Sequence, residues 1–245
     1  MISLFHAWHD TLDDLGVMGL IPSCVKLKQT CEELQNSKVI ENRVVSSPVE
    51  PDIISFDINE LEVCVSNCSA CPLGFGRICP VFGEGSGSNG LMFVGEGPGR
   101  DEDLKGRPFV GRAGELLDKM CMAVKIERSD SYITNIVKCR PPDNRVPTRA
   151  EAKCCLPYLK RQIELIRPKV IVTLGATPLR ELLNIPVGIT KVRGQWQRLD
   201  MFGGIPVMPT FHPAYVLRQY TRDVRQAVWD DLLAAKKWLD DTGNI

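Results

Sequence analysis

Neither sign of charge prevails in this chain: 30 Lys and Arg are matched by 30 Asp and Glu over 245 residues, so the formal net charge is zero. Bulk electrostatics give no support to a nucleic-acid partner, and any DNA-binding face has to be a local patch. Long apolar runs are missing as well. No stretch reaches the roughly 18 to 20 uninterrupted apolar residues of a membrane span, and the start, MISLFHAWHDTLDDLG, lacks a basic segment followed by an apolar one. The expectation is a cytoplasmic protein with no membrane partner. There is no internal repeat or low-complexity tract. A Walker loop is absent, and the glycine-rich stretch reads GEGPGR rather than G-x-G-x-x-G, which argues against a dinucleotide site. Histidine is scarce: of three, only His212 lies outside the first ten residues.

Cysteine, by contrast, is abundant. Ten cysteines without a secretory signal turn attention from disulfides to metal ligation. Cys68 and Cys71 form a C-x-x-C followed by Pro72, a loop spacing that lets two thiolates bind one metal centre. Cys139 sits in VKCRPP and Cys155 follows 16 residues later. Four thiolates there suit one cluster or one ion; the plainer alternative is that Cys139 and Cys155 are small buried apolar residues. A zinc ribbon normally shows a second tight C-x-x-C, which is missing. Cys154 and Cys155 are helix neighbours pointing about 100° apart, so one of the two faces the site, and Cys64 is a further substitute. Cys24, Cys31, Cys79 and Cys121 read as packing thiols.

With 44% hydrophobic and 24% charged residues, the composition is that of a globular protein with one sizeable core. Residues 1–52 read as an N-terminal extension and linker of unassigned role, with short helices ahead of the aperiodic stretch from Asn36 to Asp52. The main domain is expected over residues 53–245. From Leu91 onward, LMFVGE, YITNIV, KVIVTLG and IPVMPT alternate with longer amphipathic stretches, and Thr148 with Glu151 forms a capping box at the start of one of them. Four β-α units predict a three-layer α/β/α fold around a central four-stranded parallel sheet. In such sheets ligands bind beyond the carboxyl ends of the strands. The loops there carry GEGPGRDED, NIVKCRPPDNR, GATP and TFHPAYVLR.

Taken together, four blocks resemble the family 4 uracil-DNA glycosylases, the iron–sulfur branch of that superfamily: CSACPLGFGR; VGEGPGRDEDLKGRPFVGRAGELLDKM; YITNIVKCRPPDNRVPTRAE with Cys155 and PYL after it; and FHPAYVLR. They agree in order and spacing and span Glu60 to about Arg218. The resemblance implies the uracil-DNA glycosylase fold, uracil-containing DNA as partner, base excision repair as setting and a [4Fe–4S] cluster of structural role on Cys68, Cys71, Cys139 and Cys155. A monomer is expected.

The chemistry asks for matching parts. Acting on a base within a duplex requires flipping it into a pocket, at a cost of a few kcal/mol, and reading its face and edge. Phe109 suits the face. Asn135, at the end of the second strand, offers an amide complementary to N3–H and O4 of uracil, whereas cytosine presents an unprotonated N3 and an amino group. His212, by resemblance, donates to uracil O2 as the glycosidic bond breaks, a kind of preorganised donor worth about 10²- to 10³-fold in rate. Glu96 can position the attacking water and stabilise positive charge developing on the sugar. Gly97, with Gly95 and Gly99, allows close approach of the backbone to the nucleotide.

The resemblance further implies that Tyr215, Val216, Leu217 and Arg218 wedge into the duplex behind the flipped base. Arg107, Arg112, Arg140, Arg145 and Lys191 are candidate phosphate contacts. Two departures stand out. The family more often has GEAPG where this chain has GEGPG, and no histidine or insertion lies between Arg140 and Thr148, so turnover is expected rather than covalent capture of uracil. Two rivals compete with this reading. An electron-transfer iron–sulfur protein leaves Phe109, Asn135 and His212 without a purpose, and a nucleotide-binding enzyme with structural zinc lacks its phosphate loop.

Overall fold

The computed structural model describes residues 53–242; the N-terminal extension and linker expected over residues 1–52 lie outside the described residues. After a 3-10 turn at Ile53–Ser55, helix α1 (Ile58–Ser66) starts at Asp57, whose carboxylate accepts from the Asn59 and Glu60 amides while Glu60 reaches back to the Asp57 amide. That reciprocal cap satisfies orphan donors of the first turn. A short α2 (Leu73–Gly76) follows the C-x-x-C. Then come β1 (Leu91–Gly95), α3 (Arg100–Lys105), α4 (Arg112–Ala123), β2 (Tyr132–Asn135) and α5 (Arg149–Ile166). The chain continues through β3 (Val170–Leu174), α6 (Ala176–Leu183), α7 (Ile189–Val192), β4 (Gln197–Leu199), β5 (Ile205–Thr210), α8 (Pro213–Arg218) and α9 (Arg222–Thr242).

The sheet runs β2-β1-β3-β5-β4. Its first four strands are parallel, as the alternation of short and long apolar stretches predicts, and helices cover both faces. Strands β1 and β3 are buried along their whole length, which is why they read as continuous apolar runs. The fifth strand is an addition to the four-stranded sheet expected from sequence. Gln197–Leu199 pairs antiparallel with Ile205–Val207, a three-residue edge strand too short to show any period. At the opposite edge, Glu84 exchanges backbone hydrogen bonds with Ile133 of β2 (3.0 and 2.8 Å).

Register decides what meets at the carboxyl ends. Gly95 stands beside Asn135, and Leu174 beside Thr210, two residues before His212. The capping box foreseen at Thr148 forms: its hydroxyl accepts from the Glu151 amide, and Glu151 accepts from the Thr148 amide. No helix among the described residues is long and apolar enough to cross a membrane.

Candidate active site and cysteine cluster

Loops from the carboxyl ends of β1, β2, β3 and β5 surround a cavity of about 460 Å³, walled by Glu96, Gly97, Phe109, Asn135, Arg145, Gly175, His212 and Arg218 among others. Five residues singled out from sequence, Glu96, Gly97, Phe109, Asn135 and His212, thus come together. The volume lies within the usual range for small-molecule sites.

Asn135 is 1% exposed, and its Oδ1 has no hydrogen-bond partner among the described residues. A buried amide oxygen left unpaired costs about 1 to 3 kcal/mol, so its retention on a cavity wall marks an acceptor kept for a ligand donor. Behind it, the fully buried Lys138 donates from Nζ to the Asn135 carbonyl, to Thr134 Oγ1 and to Gln162 Oε1. Burial pulls the Lys138 pKa down to about 7. The end of β2 is therefore pinned from inside, by a residue type that sequence reading assigns to the surface.

Phe109 holds φ at +50°, in the left-handed region, which costs a non-glycine residue about 1 to 3 kcal/mol. Its ring centroid lies 5.7 Å from that of His212, tilted by 34°. Two glycines make room for it. A Cβ on Gly95 would stand 2.6 Å from Phe109 Cζ and 2.4 Å from Asn135 Oδ1, and one on Gly114 would sit 1.8 Å from the Phe109 carbonyl oxygen. Gly95 thus makes way for the protein's own side chains. Gly97 likewise faces Val137, whose Cγ2 would be 2.7 Å from an added Cβ.

His212 caps α8. Its Nδ1 accepts from the Ala214 amide at 3.1 Å, which leaves Nε2 as the protonated nitrogen of a neutral ring. Burial, reinforced by the Arg218 cation, lowers its pKa to about 4. Near neutral pH the residue is an uncharged donor. Glu96 accepts a hydrogen bond from Thr177 Oγ1 at the start of α6, which fixes the carboxylate; nothing in the sequence announced that partner.

The segment read as a wedge is helical. Pro213 opens α8 at a position where its missing amide is harmless, and the turn that follows buries Val216 completely. Val216 consequently has no surface to offer DNA, because its helical position turns it into the core. Tyr215 stacks on Phe211 at 4.9 Å, while Leu217 and the exposed Arg218 remain toward solvent. Among the basic residues, Arg145 and Arg218 line the cavity. Arg145 is committed to Glu151 by two hydrogen bonds (2.8 and 2.6 Å), and this pairing holds the Glu151 carboxyl at about 2. Arg107 pairs with Glu84 at 2.7 Å, and Arg140 donates to Asn144 at 2.8 Å. Arg112 and Lys191 are exposed but do not line the cavity.

A second, much smaller cavity is walled by Cys68, Cys71, Cys139, Cys154 and Cys155, with Arg77, Lys138 and Tyr158. Cys155 is buried and accepts from the Lys138 amide at 3.3 Å; Cys154, its neighbour on α5, is exposed. Cys64 lies 3.9 Å from the Tyr158 hydroxyl. Arg77 donates to Cys139 Sγ at 3.0 Å. Burial pushes the Cys155 thiol up to about 12 and raises Cys71 and Cys139, with Arg77 and Lys138 as the opposing cations. No group of three or more His, Cys, Asp or Glu among the described residues has the close spacing of a single-ion site. Soft sulfur donors of this kind suit zinc or an iron–sulfur cluster.

Comparison with known proteins agrees with this geometry. The model of the uracil DNA glycosylase superfamily matches residues 82–233. The chain is 49% identical over 180 residues to a type-4 uracil-DNA glycosylase of Thermotoga maritima, covering 73% of this chain and 93% of that protein. A type-4 uracil-DNA glycosylase of Saccharolobus solfataricus is 42% identical over 181 residues (71% and 83% covered), and one of Pyrobaculum aerophilum 41% over 168 (66% and 86%). The chain belongs to the uracil-DNA glycosylase superfamily and, within it, to the type-4 family.

Proposed function

We propose that this protein flips uracil out of DNA and hydrolyses its N-glycosidic bond, leaving an abasic site for base excision repair. The observation that carries the reading is the buried, unpartnered Asn135 Oδ1 on the wall of a cavity that also holds Phe109 and His212. A fixed acceptor selects the N3–H of uracil and meets the lone pair of cytosine unfavourably. A site built on such pairs discriminates by roughly 10⁴ to 10⁵, because the wrong base leaves buried groups unpaired.

In this mechanism Phe109 stacks on the flipped base and Asn135 reads its edge. The neutral His212 donates from Nε2 to O2 as negative charge gathers on the departing uracil. Glu96, held by Thr177, orients water at the sugar and stabilises the positive charge developing there. Leu217 and Arg218 are assigned to the duplex, with Arg218 and Arg145, which line the cavity, as the nearest candidates for phosphate contact. Cys68, Cys71, Cys139 and Cys155 would hold a [4Fe–4S] cluster, which would supply a structural crosslink between the loop from α1 to α2, the segment beyond β2 and helix α5. The absence of a histidine between Arg140 and Thr148 supports release of free uracil.

The test is cleavage of a labelled oligonucleotide carrying one uracil, followed by alkali, against a thymine control. Scission at uracil alone is expected, and it should fall at least about 10²-fold in Asn135→Ala and His212→Ala proteins that keep their brown colour. Full activity in both variants overturns the assignment of these residues. Absence of scission by brown, folded wild type overturns uracil as the substrate.

A further inference from the structure

Phe109 sits in a left-handed backbone conformation on a turn with no regular structure of its own, and something must hold it there. Three segments do. The Gly114 amide donates to the Gly111 carbonyl at 2.8 Å, and Arg128 donates to the Pro108 carbonyl at 2.7 Å, which grips the turn just before Phe109. Beyond Phe109, both the Val110 and Gly111 amides donate to one oxygen of Glu102, each at 2.9 Å. The other oxygen of that carboxylate accepts from the Gly99 amide at 3.1 Å. Glu102 also lines the base cavity. One side chain thus ties the loop that leaves β1, carrying Glu96 and Gly97, to the turn that presents Phe109.

We infer that Glu102 is a positioning residue for uracil recognition: its carboxylate sets the distance between the Glu96–Gly99 loop and the Phe109 ring, and so the width of the slot into which the base stacks. All three donors are main-chain amides, so the clamp is independent of neighbouring side chains. Only a carboxylate satisfies both ends. An amide in its place keeps one accepting oxygen and turns an NH₂ toward an N–H donor on the other side. The inference rests on reading Phe109 as the stacking face for uracil.

The test compares Glu102→Gln, Glu102→Ala, Phe109→Ala and the double variant Glu102→Ala/Phe109→Ala. Inhibition by free uracil and the kcat and KM on a uracil oligonucleotide are measured alongside the His212 ring proton shifts, which feel the Phe109 ring current. Glu102→Ala should weaken uracil inhibition and raise KM about tenfold with a smaller change in kcat, the pattern of lost ground-state binding. Glu102→Gln should be intermediate. The double variant should be no weaker than Phe109→Ala alone, within about twofold, because both substitutions remove the same contact. The His212 shifts should move in Glu102→Ala toward those of Phe109→Ala. Multiplying losses in the double variant, or unmoved His212 shifts in a folded Glu102→Ala, overturn the inference. Wild type that neither cleaves uracil nor binds it would instead sink the base-stacking reading, and the His212 shifts would still decide whether Glu102 holds Phe109.

Discussion

A methyl group on Gly95 has nowhere to go: it would meet Asn135 Oδ1 at 2.4 Å and the Phe109 ring at 2.6 Å. Gly95→Ala is expected to displace both side chains, lowering stability by about 1 to 3 kcal/mol and, on the proposed reading of the site, glycosylase activity by far more than that implies; a melt beside a rate measurement checks it. His212 carries a pH signature. Its folded pKa of about 4 lies below the ordinary 6.5, so the stability it contributes is complete above pH 6.5 and is lost as pH falls through 4, at most about 3 kcal/mol in all. An NMR titration should place the midpoint near 4, and Arg218→Ala should move it upward by removing the neighbouring cation. Asn135, Phe109, Glu96 and His212 were readable in the sequence because each lies at the end of a strand or in the loop beyond one, which a parallel sheet brings to one end. Glu102 and Lys138 were not, because a charged residue in an acidic helix start or beside a cysteine reads as solvated until its partners in distant segments are known.

At the scale of elements, α5 bears both the Thr148 cap and Cys155, so the cap's strength should reach the cysteine cavity. Thr148→Ala is expected to cost about 1 kcal/mol, a few degrees in a thermal melt, while leaving the cavity walled by Asn135 and His212 formed. The parallel strands and this cap could be foreseen because apolar runs and capping residues are local signals. Strand β4 could not, since three residues of QRL carry no alternation, and their place is fixed by pairing with β5. The wedge reading of Tyr215 to Arg218 failed at Val216 for a related reason. Pro213 after a capping His212 marks a helix start, and within a helix one residue in this turn faces inward.

For the molecule as a whole, the cysteine cavity joins segments far apart in sequence: Cys68 and Cys71 from the loop between α1 and α2, Cys139 beyond β2 and Cys155 within α5. On the proposed assignment of the cluster to these four cysteines, replacing Cys155 by Ala should abolish iron binding and the brown colour and lower the melting temperature. Cys121→Ala, at a buried thiol outside that cavity, should keep the iron; iron content and melts of the two variants decide. The assignment of residues 53–245 to the catalytic domain remains our proposal. Another consequence follows from the margins of the sheet. An exposed strand edge offers amides and carbonyls to any neighbouring chain, and that templating is a common route to aggregation. Here Glu84 takes up hydrogen-bonding positions of Ile133 on one margin, and on the other the short β4, with the exposed Arg198 at its centre, closes off β5. The two ends of the hydrogen-bond ladder are thereby blunted. In concentrated solution, contacts between copies should be made by side chains and not by continuation of the sheet.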